Sequence, residues 1–128
     1  MAKKRQPRGN RKRSDTTFKF RCWEADVKSI SYAIAVRGEV HPPHDVASLT
    51  QDMLEVELPG DVFIDVGWYP EHDPAGGYVI MAFCGDPDTL LYPEYHTKDP
   101  LDAARCVQAW AAERMLFHLR RIAKEKRD

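Results

Sequence analysis

The strongest constraint on the fold is a strict alternation of apolar and other residues on both sides of Pro59-Gly60. The apolar positions are Leu54, Val56, Leu58, Val62, Ile64, Val66 and Trp68. A period of two is typical of β-strands that turn one face toward a core. Two such segments joined by a Pro-Gly turn predict an antiparallel hairpin.

The length of the turn decides which side chains share a face, because a one-residue change of register moves every side chain of a strand to the other face. A two-residue loop would place Asp65 on the apolar face. A three-residue loop, 59–61, keeps the apolar residues together and pairs Leu58 with Val62. We therefore predict the three-residue loop, in which Glu55 lies directly across from Asp65.

Two carboxylates that face each other across neighbouring strands destabilise a sheet. A divalent metal ion bound by Glu55 and Asp65 would compensate them, as would a Lys or Arg of the N-terminal segment or a basic partner. The alternative is a solvated acidic face on which the side chains splay apart. We favour the solvated face and predict no metal site, with Glu55 and Asp65 as the candidate ligands if one exists.

Four further segments have the patterns of strands. Residues 17–23 alternate apolar and polar types, and residues 28–37 alternate large and small ones. Residues 78–84 are apolar on both faces, which is typical of a central strand covered on both sides. Residues 90–96 contain Pro93, which restricts them to an edge or a bulge.

A long helix is predicted at the C-terminal end of the chain. Asp99 suits the cap and Pro100 the first helical position, and no Gly or Pro follows, so the helix should run to about Lys124. The face predicted to pack on the sheet comprises Leu101, Ala104, Val107, Ala111, Met115, Leu119 and Ile122. Cys106, Trp110 and Phe117 lie nearly opposite and predict self-association or a protein partner. The alternative is that the N-terminal strands cover them.

The predicted fold class is therefore α+β. It consists of an antiparallel sheet of about five or six short strands, in meander-like order, with one long C-terminal helix packed on one face. We expect a single domain over residues 16–128. Residues 1–15 are basic and nearly free of apolar side chains, and we predict a disordered arm because such a segment buries too little surface to offset its ordering entropy.

The formal net charge of −1 conceals three blocks of opposite sign. Residues 1–13 carry seven Lys or Arg and no acid, residues 14–119 carry seven against eighteen Asp or Glu, and residues 120–128 carry five against two. Flexible basic segments bind nucleic acid because each phosphate contact releases counterions. The predicted nucleic-acid-binding residues are Lys3, Lys4, Arg5, Arg8, Arg11, Lys12, Arg13, Arg120, Arg121, Lys124 and Arg127.

Several classes of protein are not favoured. The longest apolar run, 78–84, is far shorter than a membrane span, and no apolar stretch follows the basic start, so we expect neither a membrane anchor nor a secretory signal. The cysteines at 22, 84 and 106 form neither a disulfide framework nor a zinc motif, which favours a cytoplasmic location. His41, His44, His72 and His96 lack the spacing of a metallohydrolase motif. We predict no cofactor.

The favoured function is a small non-enzymatic binding or accessory protein, whose acidic body recognises a protein and whose basic ends contact nucleic acid. An alternative is a regulator or immunity-type inhibitor, in which the acidic face binds a basic partner protein. A third hypothesis is a metal-dependent hydrolase that uses Glu55, Glu57 and Asp65. Enzymatic activity is thus left open, with a binding role favoured.

Overall fold

The computed structural model of the chain describes residues 19–20, residue 30 and residues 53–127, and the fold over these residues is α+β. The elements are a sheet and one long helix, α1. Their bounds are β1 (Lys19–Phe20), β2 (Leu54–Leu58), β3 (Val62–Tyr69), β4 (Gly77–Cys84), β5 (Tyr95–Thr97) and α1 (Pro100–Arg127). The predicted fold class is confirmed at this level.

The sheet has the order β1-β2-β3-β4-β5. The antiparallel part is the four-stranded meander from β2 to β5, which is fewer strands than the five or six predicted. The two-residue strand β1 joins the edge in the parallel direction, with Lys19 opposite Glu55. A parallel edge strand was not predicted, because alternation within a segment does not reveal which way it runs beside its neighbour.

The hairpin of β2 and β3 has the predicted register. Leu58 pairs with Val62, and Glu55 pairs with Asp65. The three-residue loop turns through positive φ angles at Gly60 (82°) and Asp61 (63°), a region that glycine adopts at no steric cost and aspartate tolerates better than most residues. The amide of Gly85, in the turn that follows β4, donates to the carbonyl of Asp61 at 2.8 Å. This hydrogen bond links that turn to the loop between β2 and β3.

Both faces of the central strands are buried. One face carries the main core, formed by apolar residues of β2, β3 and β4 together with α1. The opposite face carries Phe63, Val79, Met81 and Phe83, all buried, and the rings of Phe63 and Phe83 lie 5.6 Å apart. The expectation that residues 78–84 form a strand covered on both sides is confirmed, with Cys84 exposed at its end.

The connection between β3 and β4 is closely packed. The indole Nε1 of Trp68 donates to the carbonyl of Asp73 at 2.7 Å, and Trp68 meets Tyr78 edge to face, with ring centroids 4.8 Å apart. A Cβ added at Gly76 would approach the carbonyl oxygen of Tyr69 to 2.5 Å, so only glycine fits there. The peptide bond between Tyr69 and Pro70 is cis.

Two of the predicted strands are wrong in part. Ile30, the described residue of the segment 28–37, is helical and fully buried rather than extended. The segment 90–96 forms only one isolated bridge, between Leu90 and Phe83, and the strand itself begins at Tyr95. Short apolar segments leave helix and strand ambiguous, and short polar segments carry little signal of either kind. Residues 1–15, for which a disordered arm was predicted, and most of the segment 17–23 lie outside the described residues, as do residues 38–52.

Helix α1 starts as predicted but runs further. The carboxylate of Asp99 accepts a hydrogen bond from the amide of Leu101 at 3.0 Å, which caps the first turn. The helix continues to Arg127, three residues beyond the predicted end. Its 28 residues correspond to about 42 Å at about 1.5 Å per residue. Among the described residues, no helix combines the length and the apolar character that crossing a membrane requires.

Candidate functional site

The sheet supports only the first part of α1. The buried residues of the helix are Ala103, Ala104, Val107, Ala111 and Met115, and no later residue of α1 is buried. We call residues 100–115 the seated half and residues 116–127 the projecting half. The predicted core face is therefore wrong at two positions, because Leu101 is 37% exposed and Leu119 is 45% exposed. His118 and Ile122, seven residues after Ala111 and Met115, are partly buried.

The projecting half carries the C-terminal group of predicted nucleic-acid-binding residues. Arg120, Arg121, Lys124 and Arg127 are all exposed, and Lys126 adds a fifth positive charge. Arg121 lies 3.8 Å from Glu125, an exposed pair one helical turn apart that contributes little to stability. These charges also complement the negative end of the helix dipole. The predicted residues Lys3 to Arg13 lie outside the described part of the chain.

The net charge changes sign between the seated half and the projecting half of α1. Residues 53–115 contain three Lys or Arg against twelve Asp or Glu, whereas residues 116–127 contain five against one. The sheet and the seated half therefore form an acidic body, and the projecting half forms a basic extension. A polyanion would be repelled from the body and attracted to the extension, so the region of contact would be confined to the end of α1.

The predicted interface of Cys106, Trp110 and Phe117 is divided in the structure. Trp110 is half-buried and stacks on Tyr92, with ring centroids 4.6 Å apart and an interplanar angle of 11°. The Tyr92 hydroxyl donates to the carboxylate of Glu113, one turn along the helix. The loop before β5 thus covers Trp110 from within the same chain. Phe117 is 48% exposed, with the Arg114 guanidinium carbon 4.6 Å from its ring centroid.

Cys106 is half-buried against the core. Burial, assisted by the negative charge of Asp102, raises the pKa of the Cys106 thiol to about 12. At neutral pH the thiol is therefore protonated, and a protonated thiol is a poor nucleophile. A half-buried, protonated thiol serves as a small apolar residue, whereas Cys84 is exposed.

The expected solvated acidic face of the hairpin is wrong. Glu55 is 3% exposed and Asp65 is 0% exposed, and they lie directly across from each other on β2 and β3. They lie on the face opposite α1, beside the buried Phe63 and Met81. Alternation shows that two residues share a face, but not whether another layer covers that face.

Metal-ligand candidates are not brought together in the described part of the chain. No group of three or more His, Cys, Asp or Glu side chains there is placed to hold a metal ion. His72 and His96 are exposed in separate places, and His96 lies 3.2 Å from Glu94. His41 and His44 lie outside the described residues.

Sequence analysis missed the apolar surface beside the basic residues. Leu116 and Leu119 are 48% and 45% exposed, and they lie on a different side of α1 from Phe117. The signal was present as apolar residues spaced three and four apart from Ala109 to Ala123. It was hidden because Leu119 also continues the spacing of the buried face.

Comparison with protein-family models, with curated proteins and with solved structures finds no match to this chain.

Proposed function

We propose that this protein is a small binding protein that contacts nucleic acid through the basic projecting half of α1, assisted by the basic residues of 1–13. The observation that carries the proposal is the cluster of five exposed Lys and Arg side chains at the end of α1, where no side chain is fully buried. Such a helix end can approach a phosphate backbone without bringing the acidic body against it.

The contact should be electrostatic and largely independent of sequence. Long, exposed Arg and Lys side chains reach phosphate oxygens, and each neutralised phosphate releases condensed counterions. Within the described residues, no base-reading arrangement accompanies the cluster, and the apolar neighbours Leu116 and Leu119 carry no hydrogen-bonding groups. Phosphate contacts position a protein on nucleic acid, whereas base contacts provide specificity.

The two alternative functions find less support in the described residues. An acidic-faced regulator would present the carboxylates of the hairpin to its partner, but Glu55 and Asp65 are buried. A metal-dependent hydrolase would need Glu55, Glu57 and Asp65 to meet a histidine, and no such cluster is formed there. The exposed acids of the body, such as Asp86 and Asp88, lie in loops.

The test is the affinity for generic duplex DNA and single-stranded RNA at several salt concentrations. Replacing Arg120, Arg121, Lys124 and Arg127 by Gln should reduce the slope of log K against log salt by up to about 3.6 for duplex DNA, since each of the four phosphate contacts contributes about 0.9. Deletion of residues 1–13 should reduce the slope further.

The matched control replaces Lys98 and Arg105 by Gln, because both are exposed bases outside the projecting half. This variant should bind as the parent does. Undetectable binding of the parent at low salt would contradict the proposal, as would an equal loss in the control variant.

A further inference from the structure

We propose that α1 pairs antiparallel with the same helix of a second copy of this chain, through its segment from Ala109 to Ala123. The contact surface is a line of exposed apolar residues, which we call the alanine-leucine stripe. It consists of Ala109, Ala112, Leu116, Leu119 and Ala123. All five are exposed, and the inference does not depend on nucleic-acid binding.

The spacing of the stripe is that of a helix-pairing seam. Its residues follow one another at intervals of three, four, three and four positions, which keeps them on one side of an α-helix over about four turns. Two leucines at the centre supply the apolar area, and alanines at both ends let a second helix approach closely. The stripe points away from the sheet, because the buried Val107 and Ala111 lie on another side of the helix.

Register favours the antiparallel direction. A twofold axis between residues 117 and 118 places Leu116 opposite Leu119 of the second copy and Ala112 opposite Ala123 of the second copy. The same arrangement brings Glu113 within about 3 Å, along the axis, of Arg120 of the second copy, given a rise of about 1.5 Å per residue. Both side chains are exposed and border the stripe on the same side. A symmetric pair therefore contains two complementary charge contacts.

The charge blocks favour the same direction. An antiparallel pair places the basic end of each helix, five Lys or Arg against one acid, beside the acidic body of the other copy. A parallel pair would instead place the two basic ends side by side, where like charges repel. It would also leave Glu113 without a basic residue across the seam. The occupant that matches both the stripe and its charged border is a second copy.

The expected dimer is a weak one. The contact involves about four turns of one helix from each copy, which is at or below the lower end of the area buried by stable dimers, about 1,200 Å² in total. The pairing should therefore be reversible and dependent on concentration. It would leave Lys124 and Arg127 at opposite ends of the helix pair, with both groups accessible.

The experiment is sedimentation of the full chain, treated with nuclease, over a range of concentrations. The highest concentration, about 0.5 mM, allows the dissociation constant of a weak dimer to be measured. Leu116→Glu should raise the dimer dissociation constant at least about tenfold, since it places a charge in the seam. The matched control is Phe117→Glu. Phe117 has the same exposed fraction as Leu116, 48%, but lies about 100° further round the helix. The dimer dissociation constant of this control variant should change less than about twofold.

Charge reversal tests the direction of pairing. Arg120→Glu and Glu113→Arg should each weaken the dimer, and the double variant, which recreates both contacts with exchanged signs, should restore the dissociation constant to within about threefold of the parent. Arg121→Glu, an equal charge change on an exposed neighbour, is the control. Circular dichroism verifies folding of Glu113→Arg, because Glu113 also accepts a bond from Tyr92.

A parent that remains monomeric at the highest concentration would overturn the proposal. So would a dimer that Phe117→Glu disrupts and Leu116→Glu leaves intact, since that result would assign the contact to the side of Cys106 and Phe117. Failure of the double charge reversal to restore pairing would overturn the antiparallel arrangement.

Discussion

The two halves of α1 distribute apolar residues in opposite ways. In the seated half, the buried residues are mostly small: Ala103, Ala104, Val107 and Ala111. In the projecting half, large residues such as Leu116 and Phe117 are close to half exposed. Size therefore does not decide which helix residues are buried. Cover decides it, because a residue is buried only where a second layer lies against its side of the helix.

Small residues in the seated half leave room for the larger side chains that the sheet contributes to the core. Alanines permit a short separation between the helix and strands β3 and β4, whose core-facing side chains include the large Tyr78 and Ile80. The projecting half has no such constraint and can carry leucine, phenylalanine and arginine. The comparison predicts that stability depends on the first half of α1 and intermolecular contacts on the second.

The largest expected effect is that of a charge in the seated half. Val107 is 0% exposed, so Val107→Asp buries a carboxylate without a compensating group, which costs about 3–5 kcal/mol. That is a large part of the 5–15 kcal/mol typical of a small domain. Urea unfolding followed by circular dichroism should show the free energy of unfolding lowered by about this amount. Phe117→Asp in the projecting half should change the free energy of unfolding by about 1 kcal/mol or less, and equal losses would contradict the distinction between the halves.

A smaller effect is expected where an aromatic ring is covered by the same chain. Trp110→Ala removes the stacking contact with Tyr92 and the packing against the core, and should cost about 2 kcal/mol, less than a fully buried aromatic. Phe117→Ala should cost well under about 1 kcal/mol. Thermal unfolding of both variants measures the difference. Similar melting temperatures would show that Trp110 is not part of the folded core.

The smallest effect concerns the hydrogen bond that fixes the loop before β5 to α1. Burial and the hydrogen bond to Glu113 raise the pKa of Tyr92 from 10.0 to about 12. The folded state therefore holds this proton more tightly than the unfolded state, so the contribution is full below pH 10 and is lost as the pH rises toward 12. Tyr92→Phe should lower stability at pH 8 by about 0.5–1 kcal/mol.

Measured in urea between pH 8 and 11.5, the stability of the parent should fall more steeply than that of Tyr92→Phe. Tyr78, whose pKa burial also raises, is unchanged in both proteins and contributes the same dependence on pH to each. Parallel curves would contradict the coupling of Tyr92 to Glu113.

The hairpin was the part of the fold that could be predicted in detail. The alternation around Pro59-Gly60 allows only one register that keeps the apolar residues on one face, so the pairing of Glu55 with Asp65 followed from the residues alone. The cap at Asp99 was likewise a local matter of one carboxylate and one amide. Local features of this kind depend on neighbours in sequence, and the sequence contains them.

The candidate site was predicted less completely. The basic residues of the projecting half lie exposed at the end of α1, where the sequence predicted a charge block, and their role in binding nucleic acid stays a prediction. The line of Leu116 and Leu119 was missed because spacings of three and four describe both a core face and a second apolar face. Distinguishing a core face from a second apolar face required knowing which sides of the helix another layer covers.

What the sequence by itself determined about this protein is therefore local and periodic: the hairpin register, the start of α1 and the reversal of charge along the chain. Only the tertiary structure decided which faces are covered. It buried Glu55 and Asp65, which alternation alone left solvated, and it exposed Leu119, which periodicity assigned to the core. The physical reason is that burial depends on a second layer contributed by distant parts of the chain, and periodicity within one segment carries no information about that layer.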